Sequence, residues 1–510
     1  MSLLRSRAAL LSAASALLIS ALAYVPMILT GHITRDSGVF LYTGMVVSRG
    51  GMPYVDSWDH KGPLLAAIET AAWRLGGGIV GAPLLEALVL FLGLSIAGVI
   101  WSRWIGGWAP VVVLIAGVTY LGVFEGGNFT ETWLFPFQLV AYSAAAHVAL
   151  RSGRDASGRM AAGLGLIVGA ALAMGLFTRM NNVVGVVVVA VAGVVLLRRR
   201  IVFAAAAAAV VVVVGAGLAL WLWAGDALRA GIDQYLRYNL FYSGGTGTGD
   251  RLSAFGTLAQ LLVSGAVVVA TLVLAGAWLA LRRSADAADS RTPSFVVALF
   301  VIVGGLDALS QMVSGRPYPH YLIVATAGFA VAVVVLISQL LPLERPHASH
   351  HADAVWRGAV AGGVALLVLA GSSAGALHGL RVVTQAGVFV DGSYQAQLVD
   401  RVVAETSPDD RVLVHGAETW ILAASGRLSP TSITYSLPVE QGYGGLPAQY
   451  LSDVTSFPPA LIVESPTSCG ISTECMPGEA NFTGLAPFVA SSYQLEGEIV
   501  GFRFWRRVIG

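Results

Sequence analysis

Charged residues are scarce in this chain of 510 residues, where Asp, Glu, Lys and Arg together make up 12%. Soluble globular domains carry about 25% charged residues. Hydrophobic residues reach 56% and the mean hydropathy is +0.74. These values exclude an ordinary soluble enzyme and a disordered chain, and they indicate a multi-pass helical membrane protein.

Cysteine and lysine are nearly absent. The two cysteines, Cys469 and Cys475, are too few for a Cys-rich metal scaffold, and in an oxidising compartment they could form a local disulfide. A net charge of +1 provides no basic field for nucleic acid, so no nucleic-acid partner is predicted. The only lysine among 30 basic residues is Lys61, which indicates either a need for an ammonium there or plain codon bias.

Long apolar runs dominate most of the sequence, and a membrane span needs about 20 apolar residues. Eleven runs are candidate spans: 8–29, 79–100, 108–124, 132–150, 160–178, 183–197, 201–224, 256–281, 293–313, 321–341 and 357–378. The run 62–77 is short and carries two charges, which predicts an interfacial or half-buried helix. Residues 5–23 also resemble a signal peptide, but we expect an uncleaved span because the apolar run continues to Leu29.

Basic residues between the spans fall on one side of the membrane if the N-terminus is cytoplasmic. They lie in the segments 101–107, 151–159, 198–200, 282–292 and 342–357. Because cytoplasmic loops carry the excess of basic residues, this pattern predicts a cytoplasmic N-terminus and an extracytoplasmic C-terminus.

The sequence after residue 378 has a different character. Strand-like runs at 411–415, 432–435, 460–463 and 499–504 alternate with helix-like runs at 397–405 and 418–424. The sequence therefore predicts two domains. Residues 1–378 form a membrane domain whose first outer loop covers 30–78, and residues 379–510 form an extracytoplasmic soluble α/β domain.

The first outer loop carries the residues that are best suited to catalysis or ligand binding. Asp36 follows the first span by a few residues, and a carboxylate at the mouth of a helical bundle can act as a general base or bind a cation. The alternative is an exposed loop aspartate. Further along are Gly51-Met52-Pro53-Tyr54 and Trp58-Asp59-His60-Lys61-Gly62-Pro63-Leu64.

This arrangement resembles the first loop of GT-C-type polytopic membrane glycosyltransferases, such as bacterial protein O-mannosyltransferases and aminoarabinose-transferase-like enzymes. A late-loop motif of the same group is similar to Ser314-Gly315-Arg316-Pro317-Tyr318-Pro319-His320-Tyr321-Leu322. The resemblance covers nearly the whole chain. It implies a mainly α membrane protein, a GT-C-like bundle of about 11 transmembrane helices with a C-terminal extracytoplasmic α/β domain.

The resemblance also implies an activity, namely sugar transfer from a polyprenyl-phosphate donor to an acceptor hydroxyl outside a bacterial plasma membrane, with inversion. Asp36 matches the family's loop-one carboxylate, which is taken as the general base. Lys61 matches a basic position associated with the donor phosphate. The identity of the sugar stays open, as does the acceptor, which is a protein, a lipid or a polysaccharide.

Further candidates lie at the predicted outer ends of spans. The leaving phosphate needs cationic or hydrogen-bonding partners, for which Arg179, Arg316 and His320 are suited. Residues predicted to contact substrate are Tyr54, Asp59, His60, Glu131, Tyr318 and Tyr321. An interfacial aromatic belt is the alternative for the late-loop residues, and a helix cap is the alternative for the pair beside Lys61.

No nucleotide-binding loop and no zincin motif occurs in the sequence, which argues against ATP-driven transport and zincin proteolysis. No clear metal-ligand set appears either, so no cofactor is predicted with certainty and a divalent metal stays open. Two other functions remain as alternatives. A transporter or flippase for a lipid-linked saccharide should show inverted repeats and charges at span centres. A non-catalytic cell-envelope assembly protein would have Asp36 facing away from any cavity.

Overall fold

The computed structural model describes residues 2–244, 247–265, 267–282, 291–340, 351–473 and 485–508. The helices are α1 (Ser2–Thr30), α2 (Arg35–Ser48), α3 (Pro63–Gly76), α4 (Gly81–Ile105), α5 (Ala109–Leu121), α6 (Thr130–Ser152), α7 (Gly158–Thr178), α8 (Val184–Leu196), α9 (Arg200–Ala224), α10 (Leu228–Ile232), α11 (Tyr238–Gly244), α12 (Thr248–Ser264), α13 (Val267–Arg282), α14 (Arg291–Gln311), α15 (Ile323–Leu340), α16 (His351–Gln385), α17 (Tyr394–Glu405), α18 (Trp420–Ser425), α19 (Leu437–Glu440), α20 (Leu446–Ser456) and α21 (Leu485–Ser492). The strands are β1 (Val412–His415), β2 (Leu461–Glu464), β3 (Tyr493–Ile499) and β4 (Phe502–Arg507).

The chain divides into two compact units, each assembled from separate segments. The bundle unit comprises Met1–Val25, Glu86–Gly217 and Ser243–Arg381, and the mixed unit comprises Pro26–Leu85, Leu218–Tyr242 and Val382–Gly510. The bundle unit is helical, whereas the mixed unit holds all four strands described above. The two domains predicted from the sequence, 1–378 and 379–510, are a different division of the chain and stay a prediction.

Eight helical stretches in the described part of the chain are long and apolar enough to cross a membrane. They coincide with nine of the eleven predicted spans, because 79–100 and 108–124 both lie in the stretch Gly81–Leu121. The predicted span 183–197 corresponds to a shorter apolar helix, and 256–281 corresponds to two helices that meet at 57°. The multi-pass helical fold is confirmed. The structure supports eight spans, or nine if the bent pair is one span.

The mixed unit contains a four-stranded sheet with the order β1-β2-β4-β3. Strands β1 and β2 run parallel, with Val412 opposite Leu461, and β4 runs antiparallel to β2 and to β3. Every residue of β1 and β2 is buried. A strand covered on both faces has an unbroken apolar sequence, which explains why these two strands could be predicted.

Two of the strand predictions are wrong in detail. Residues 432–435 are irregular, since the Ser432 carbonyl accepts the Trp58 N–H at 2.8 Å and the Thr434 carbonyl accepts the Thr419 hydroxyl at 2.8 Å. These bonds occupy backbone groups that a neighbouring strand would need. The run 499–504, predicted as one strand, contains the turn between β3 and β4, where Val500 has a φ of 49°.

The segment 30–61, predicted as a loop, contains helix α2. Thr34 caps this helix, because its hydroxyl accepts the Ser37 N–H at 3.2 Å while the Ser37 hydroxyl accepts the Thr34 N–H at 2.8 Å. The usual partner three residues after such a cap is Glu or Gln, so the Thr-x-x-Ser form gives a weaker sequence signal. The helix predicted at 62–77 is present as α3.

Helix α2 packs closely on α3 and α18 through two glycines. A Cβ atom placed on Gly38 would lie 2.6 Å from the Trp420 nitrogen, and one on Gly44 would lie 2.6 Å from the Glu69 carbonyl oxygen. Both distances are shorter than a van der Waals contact, so a larger residue requires the helices to separate. The close approach brings α2 into the same hydrophobic core as the sheet, a core that includes Tyr42.

We expect Gly38→Ala to lower the free energy of unfolding by about 1–3 kcal/mol, because the added methyl group meets the backbone of α18. The matched control is Gly163→Ala in α7, where a Cβ meets no atom within 4 Å. This control should be neutral or slightly stabilising. Thermal unfolding of the purified proteins in detergent measures both changes. Equal destabilisation by the two substitutions would contradict the close α2–α18 contact.

Candidate active site

Asp36 lies in the first turn of α2, two residues after the capping residue Thr34. An acidic residue is favourable there because the N-terminal end of a helix is partially positive. The side chain is exposed, and within the described part of the chain its carboxylate has no hydrogen bond or ion pair. Its neighbour Arg35, in contrast, is held by an ion pair with the buried Glu418 at 2.6 Å. The structure therefore leaves the Asp36 carboxylate accessible, while the ion pair of its neighbour Arg35 holds the first turn of α2 in place.

Asp59 is a buried carboxylate that closes a tight turn over residues 59–61. Its Oδ1 accepts the backbone N–H of His60 at 2.7 Å and that of Lys61 at 3.2 Å. Burial raises the pKa of Asp59 to about 6, the Lys61 ammonium opposes this shift, and the negative charge of Asp36 adds to it. The electrostatic influence of Asp36 on Asp59 means that the two carboxylates belong to one polar region of the mixed unit.

A chain of hydrogen bonds links Lys61 to the tail of the protein. The Lys61 Nζ lies 2.9 Å from His60 Nε2, and His60 Nδ1 lies 2.8 Å from the Tyr435 hydroxyl. An ammonium can only donate, so His60 Nε2 accepts and the neutral ring carries its proton on Nδ1. That N–H then donates to the Tyr435 oxygen. Tyr435 therefore sets the tautomer that allows His60 to hold Lys61.

Aromatic rings surround His60. The ring of Trp58 packs edge-on against Tyr238 with centroids 4.8 Å apart, and Tyr238 lies 5.4 Å from the His60 ring. Burial raises the pKa of both Tyr238 and Tyr435 well above the usual value of a phenol. These tyrosines therefore stay neutral at physiological pH and keep their hydroxyl protons.

Tyr54 closes the other side of the turn in a left-handed conformation, with a φ of 70°. Such a conformation costs about 1–3 kcal/mol for a residue other than glycine. Three hydrogen bonds offset this cost: the hydroxyl donates to the Lys61 carbonyl at 2.7 Å, the N–H donates to the Ser57 carbonyl at 2.8 Å, and the Tyr54 carbonyl accepts from Gln234 at 2.7 Å. Gln234 also accepts the Asp59 N–H at 3.1 Å, so one glutamine fixes both ends of the turn.

The bundle unit holds a second polar cluster. Glu131, at the start of α6, forms a buried ion pair with Arg179, which follows the end of α7. Asn182 donates to the Glu131 carboxylate at 3.2 Å. The Arg179 guanidinium lies 4.3 Å from the centre of the Tyr321 ring, a cation–π contact. Arg179 is thus charge-balanced by Glu131, a pairing that the sequence analysis did not predict.

His320 belongs to the same cluster. Its Nδ1 lies 2.6 Å from the Glu125 carboxylate, and its ring stacks on Phe129 with centroids 3.9 Å apart. The other ring nitrogen, Nε2, is buried and has no hydrogen-bond partner within the described ranges. The Tyr318 ring stacks on the outer side of His320 at 5.5 Å, and Arg316 is exposed.

The structure thus groups the predicted residues into two sets, each within one unit. The mixed unit holds Asp36, Tyr54, Asp59, His60 and Lys61, and the bundle unit holds Glu131, Arg179, Arg316, Tyr318, His320 and Tyr321. The sequence analysis missed Gln234, Tyr435 and Asn182, whose partners are far away in the chain. A contact of any of these residues with substrate stays a prediction.

Possible metal ligands and the two cysteines are the remaining reactive groups. In the part of the chain that the structure describes, no group of three or more His, Cys, Asp or Glu side chains could hold a metal ion. The metal requirement stays open as a prediction. Cys469 is disulfide-bonded, and Cys475 lies outside the described residues.

Solved structures with the same fold are crystal structures of ArnT from Cupriavidus metallidurans. The structure bound to undecaprenyl phosphate matches with a TM-score of 0.61 at 15% identity, covering 98% of each chain. The apo structure matches with a TM-score of 0.60 at 15% identity, covering 96% of each chain. No family model and no curated protein matches the sequence. The likeness confirms the predicted GT-C-type fold over almost the whole chain.

The buried Asp59 makes stability depend on pH in a defined direction. Its folded-state pKa of about 6 lies above the ordinary value of 3.8, so the folded protein holds this proton more tightly than the unfolded chain. The resulting stabilisation is complete below about pH 4 and is lost as the pH rises through 6. Between pH 4 and 7 we expect the wild type to lose about 3 kcal/mol relative to Asp59→Asn.

Thermal unfolding in detergent at both pH values measures this difference. The control is Asp391→Asn, which changes an exposed aspartate of the same unit and should follow the wild-type pH profile. An Asp59→Asn profile parallel to that of the wild type would show that Asp59 is not held in the buried, two-donor environment described above.

Proposed function

We propose that the protein is an integral membrane glycosyltransferase that moves a sugar from a polyprenyl-phosphate donor to an acceptor hydroxyl. The observation that carries this proposal is the fold match over 98% of both chains to ArnT crystallised with undecaprenyl phosphate. The motif resemblance around Asp36 and Lys61 supports it independently, because it rests on residues rather than on the fold.

In the proposed reaction the Asp36 carboxylate removes the proton of the acceptor hydroxyl as that oxygen attacks the anomeric carbon. The bond between this carbon and the donor phosphate oxygen breaks, and its electron pair leaves with the phosphate. One displacement of this kind inverts the anomeric configuration and needs a single base. The exposure of Asp36, and its lack of a bonded partner among the described residues, support this role.

Lys61 supplies positive charge to the phosphate leaving group in this proposal. Negative charge develops on that phosphate in the transition state, and a fixed cation stabilises it most where water is scarce. The half-buried Lys61 is fixed from three directions, because Asp59 caps its N–H, Tyr54 binds its carbonyl and His60 contacts its ammonium. Tyr435 acts through His60 and is therefore a positioning residue.

The cluster in the bundle unit is proposed to bind the donor by shape and hydrogen bonding. The charge of Arg179 is balanced by Glu131, so this arginine contributes directed N–H donors more than net charge. The buried Nε2 of His320 is suited to a hydrogen bond with an oxygen atom of the sugar donor. Arg316 and Tyr318 are exposed beside it and are proposed to contact the sugar or the acceptor.

The proposed setting is the plasma membrane of a bacterium, with a cytoplasmic N-terminus and the transfer on the extracytoplasmic face. The distribution of basic residues between the spans supports this orientation. The disulfide at Cys469 agrees with it, since disulfides persist in oxidising compartments. The acceptor is a hydroxyl of a protein, a lipid or a polysaccharide.

The first prediction for this function concerns the base. We expect Asp36→Asn to lower the rate of sugar transfer by about 10²–10⁴-fold, because the amide cannot take the proton. Binding of the donor should persist. The assay uses radiolabelled polyprenyl-phosphate sugars with a crude membrane acceptor, and Asp391→Asn, an exposed aspartate, is the control. Donor binding by the wild type without transfer of any sugar would favour a transporter or flippase instead.

The second prediction separates a positioning role from a structural one. Tyr435→Phe removes the hydroxyl bonded to His60 and should lower kcat about 5- to 10-fold, with a smaller effect on the KM for the donor, because Lys61 acts on charge that develops in the transition state. The matched control is Tyr450→Phe, which also removes a hydroxyl from a histidine Nδ1, that of His415, at 3.0 Å. Both variants should lose similar stability. An unchanged kcat in Tyr435→Phe would show that Tyr435 does not act on Lys61 through His60.

A further inference from the structure

The bundle unit contains a cavity of about 810 Å³ between the ends of four helices. Its walls come from the start of α1, the ends of α4 and α6, and the first half of α7. Most of the lining is apolar, including Ile100, Leu164 and Ile167, and no Asp or Glu is part of it. Such walls are suited to hydrocarbon, and the lack of an acidic residue in the lining means that no lining carboxylate repels an anion.

Two arginines give this cavity a positive rim. Arg103 lies in the last turn of α4, Arg151 lies in the last turn of α6, and both are exposed. Among the described residues neither guanidinium has a hydrogen bond or ion pair. Each cation is favourable for its own helix end. Their convergence on one cavity without a carboxylate places two like charges where a bound anion would neutralise them.

His147 adds a third donor to the same rim. The Trp104 indole N–H donates to His147 Nδ1 at 2.8 Å, and the two rings stack. Because an indole N–H can only donate, Nδ1 is the acceptor and the neutral ring carries its proton on Nε2. This N–H has no hydrogen-bond partner in the described part of the chain, and His147 lines the cavity.

We propose that this cavity binds one anionic phospholipid. Arg103, Arg151 and His147 Nε2–H donate to the phosphate oxygens, and the acyl chains lie against Ile100, Leu164 and Ile167. A single guanidinium can bind two phosphate oxygens in a fork-like geometry, and basic pockets between transmembrane helices accept anionic headgroups. The apolar walls select a lipid over free phosphate.

The site is separate from the candidate donor site. Glu131 and Arg151 lie near opposite ends of helix α6, which has 23 residues. Since a helix rises about 1.5 Å per residue, these positions are about 30 Å apart, the thickness of a bilayer core. The cavity therefore lies at the opposite end of α6 from the Glu131–Arg179 ion pair, and this inference does not depend on the proposed function.

The test uses the purified full-length protein after removal of native lipid. Phosphatidylglycerol and phosphatidylcholine with identical acyl chains are the probes, and native mass spectrometry and thermal unfolding report binding. We expect the wild type to bind phosphatidylglycerol about tenfold more tightly and to show a higher Tm with it. Equal binding of the two lipids by the wild type overturns the proposal, whatever the variants do.

Variants then locate the site. Arg103→Gln with Arg151→Gln should weaken phosphatidylglycerol binding about 10- to 30-fold. The matched control, Arg199→Gln with Arg200→Gln, removes the same charge from exposed arginines outside the cavity and should keep the wild-type affinity. His147→Gln keeps a side-chain N–H donor but not the ring geometry, so we expect a several-fold loss of affinity for phosphatidylglycerol. This variant tests the site even if the double arginine variant fails to fold.

Two results contradict the assignment. An equal loss of affinity in both double variants would mean that phosphatidylglycerol responds to general surface charge rather than to the cavity. Displacement of phosphatidylglycerol by equimolar sn-glycerol 3-phosphate would mean that the rim binds a free phosphate and that the apolar walls contribute nothing.

Discussion

The buried carboxylate of Asp59 is the group on which the polar centre of the mixed unit depends. A carboxylate removed from water is costly, and its pKa rises to about 6 as a result. The protein retains it because Asp59 accepts two consecutive backbone N–H groups and so fixes the turn that carries Lys61. An asparagine would keep part of this geometry without the negative charge that stabilises the ammonium. The same carboxylate therefore both shapes the turn and places a negative charge beside Lys61, which is proposed to contact the leaving phosphate of the donor.

The elements around this turn come from three distant parts of the chain, which explains why the mixed unit is discontinuous in sequence. Gln234 contributes the amide that bonds both Asp59 and Tyr54, and Tyr435 orients His60. Helix α2 reaches the sheet only because Gly38 allows contact with the backbone at Trp420. Residues of the tail thus help to hold the turn at residues 59–61, and α17, α18 and the sheet share one hydrophobic core with α2 and α3.

Sequence alone predicts the features that depend on local chemistry. Apolar length identifies the spans, unbroken apolar runs identify β1 and β2, and the first-loop motif singles out Asp36 and Lys61. Pairings across the chain are not predictable in this way, because their partners are separated by 375 residues for His60 and Tyr435, 175 for Asp59 and Gln234, and 48 for Glu131 and Arg179. The same limit explains the wrong strand at 432–435. Its apolar alternation is that of a strand, yet its backbone is bound by Trp58 and Thr419.

The central claim is that the turn at residues 59–61 presents Lys61 to the phosphate of a polyprenyl donor. The most direct measurement is an experimental structure of the protein with undecaprenyl phosphate bound. We expect a phosphate oxygen about 3 Å from Lys61 Nζ, with the Asp59 and Tyr435 hydrogen bonds unchanged. A phosphate bound elsewhere, with the contact between Lys61 and His60 unchanged, would contradict this proposal.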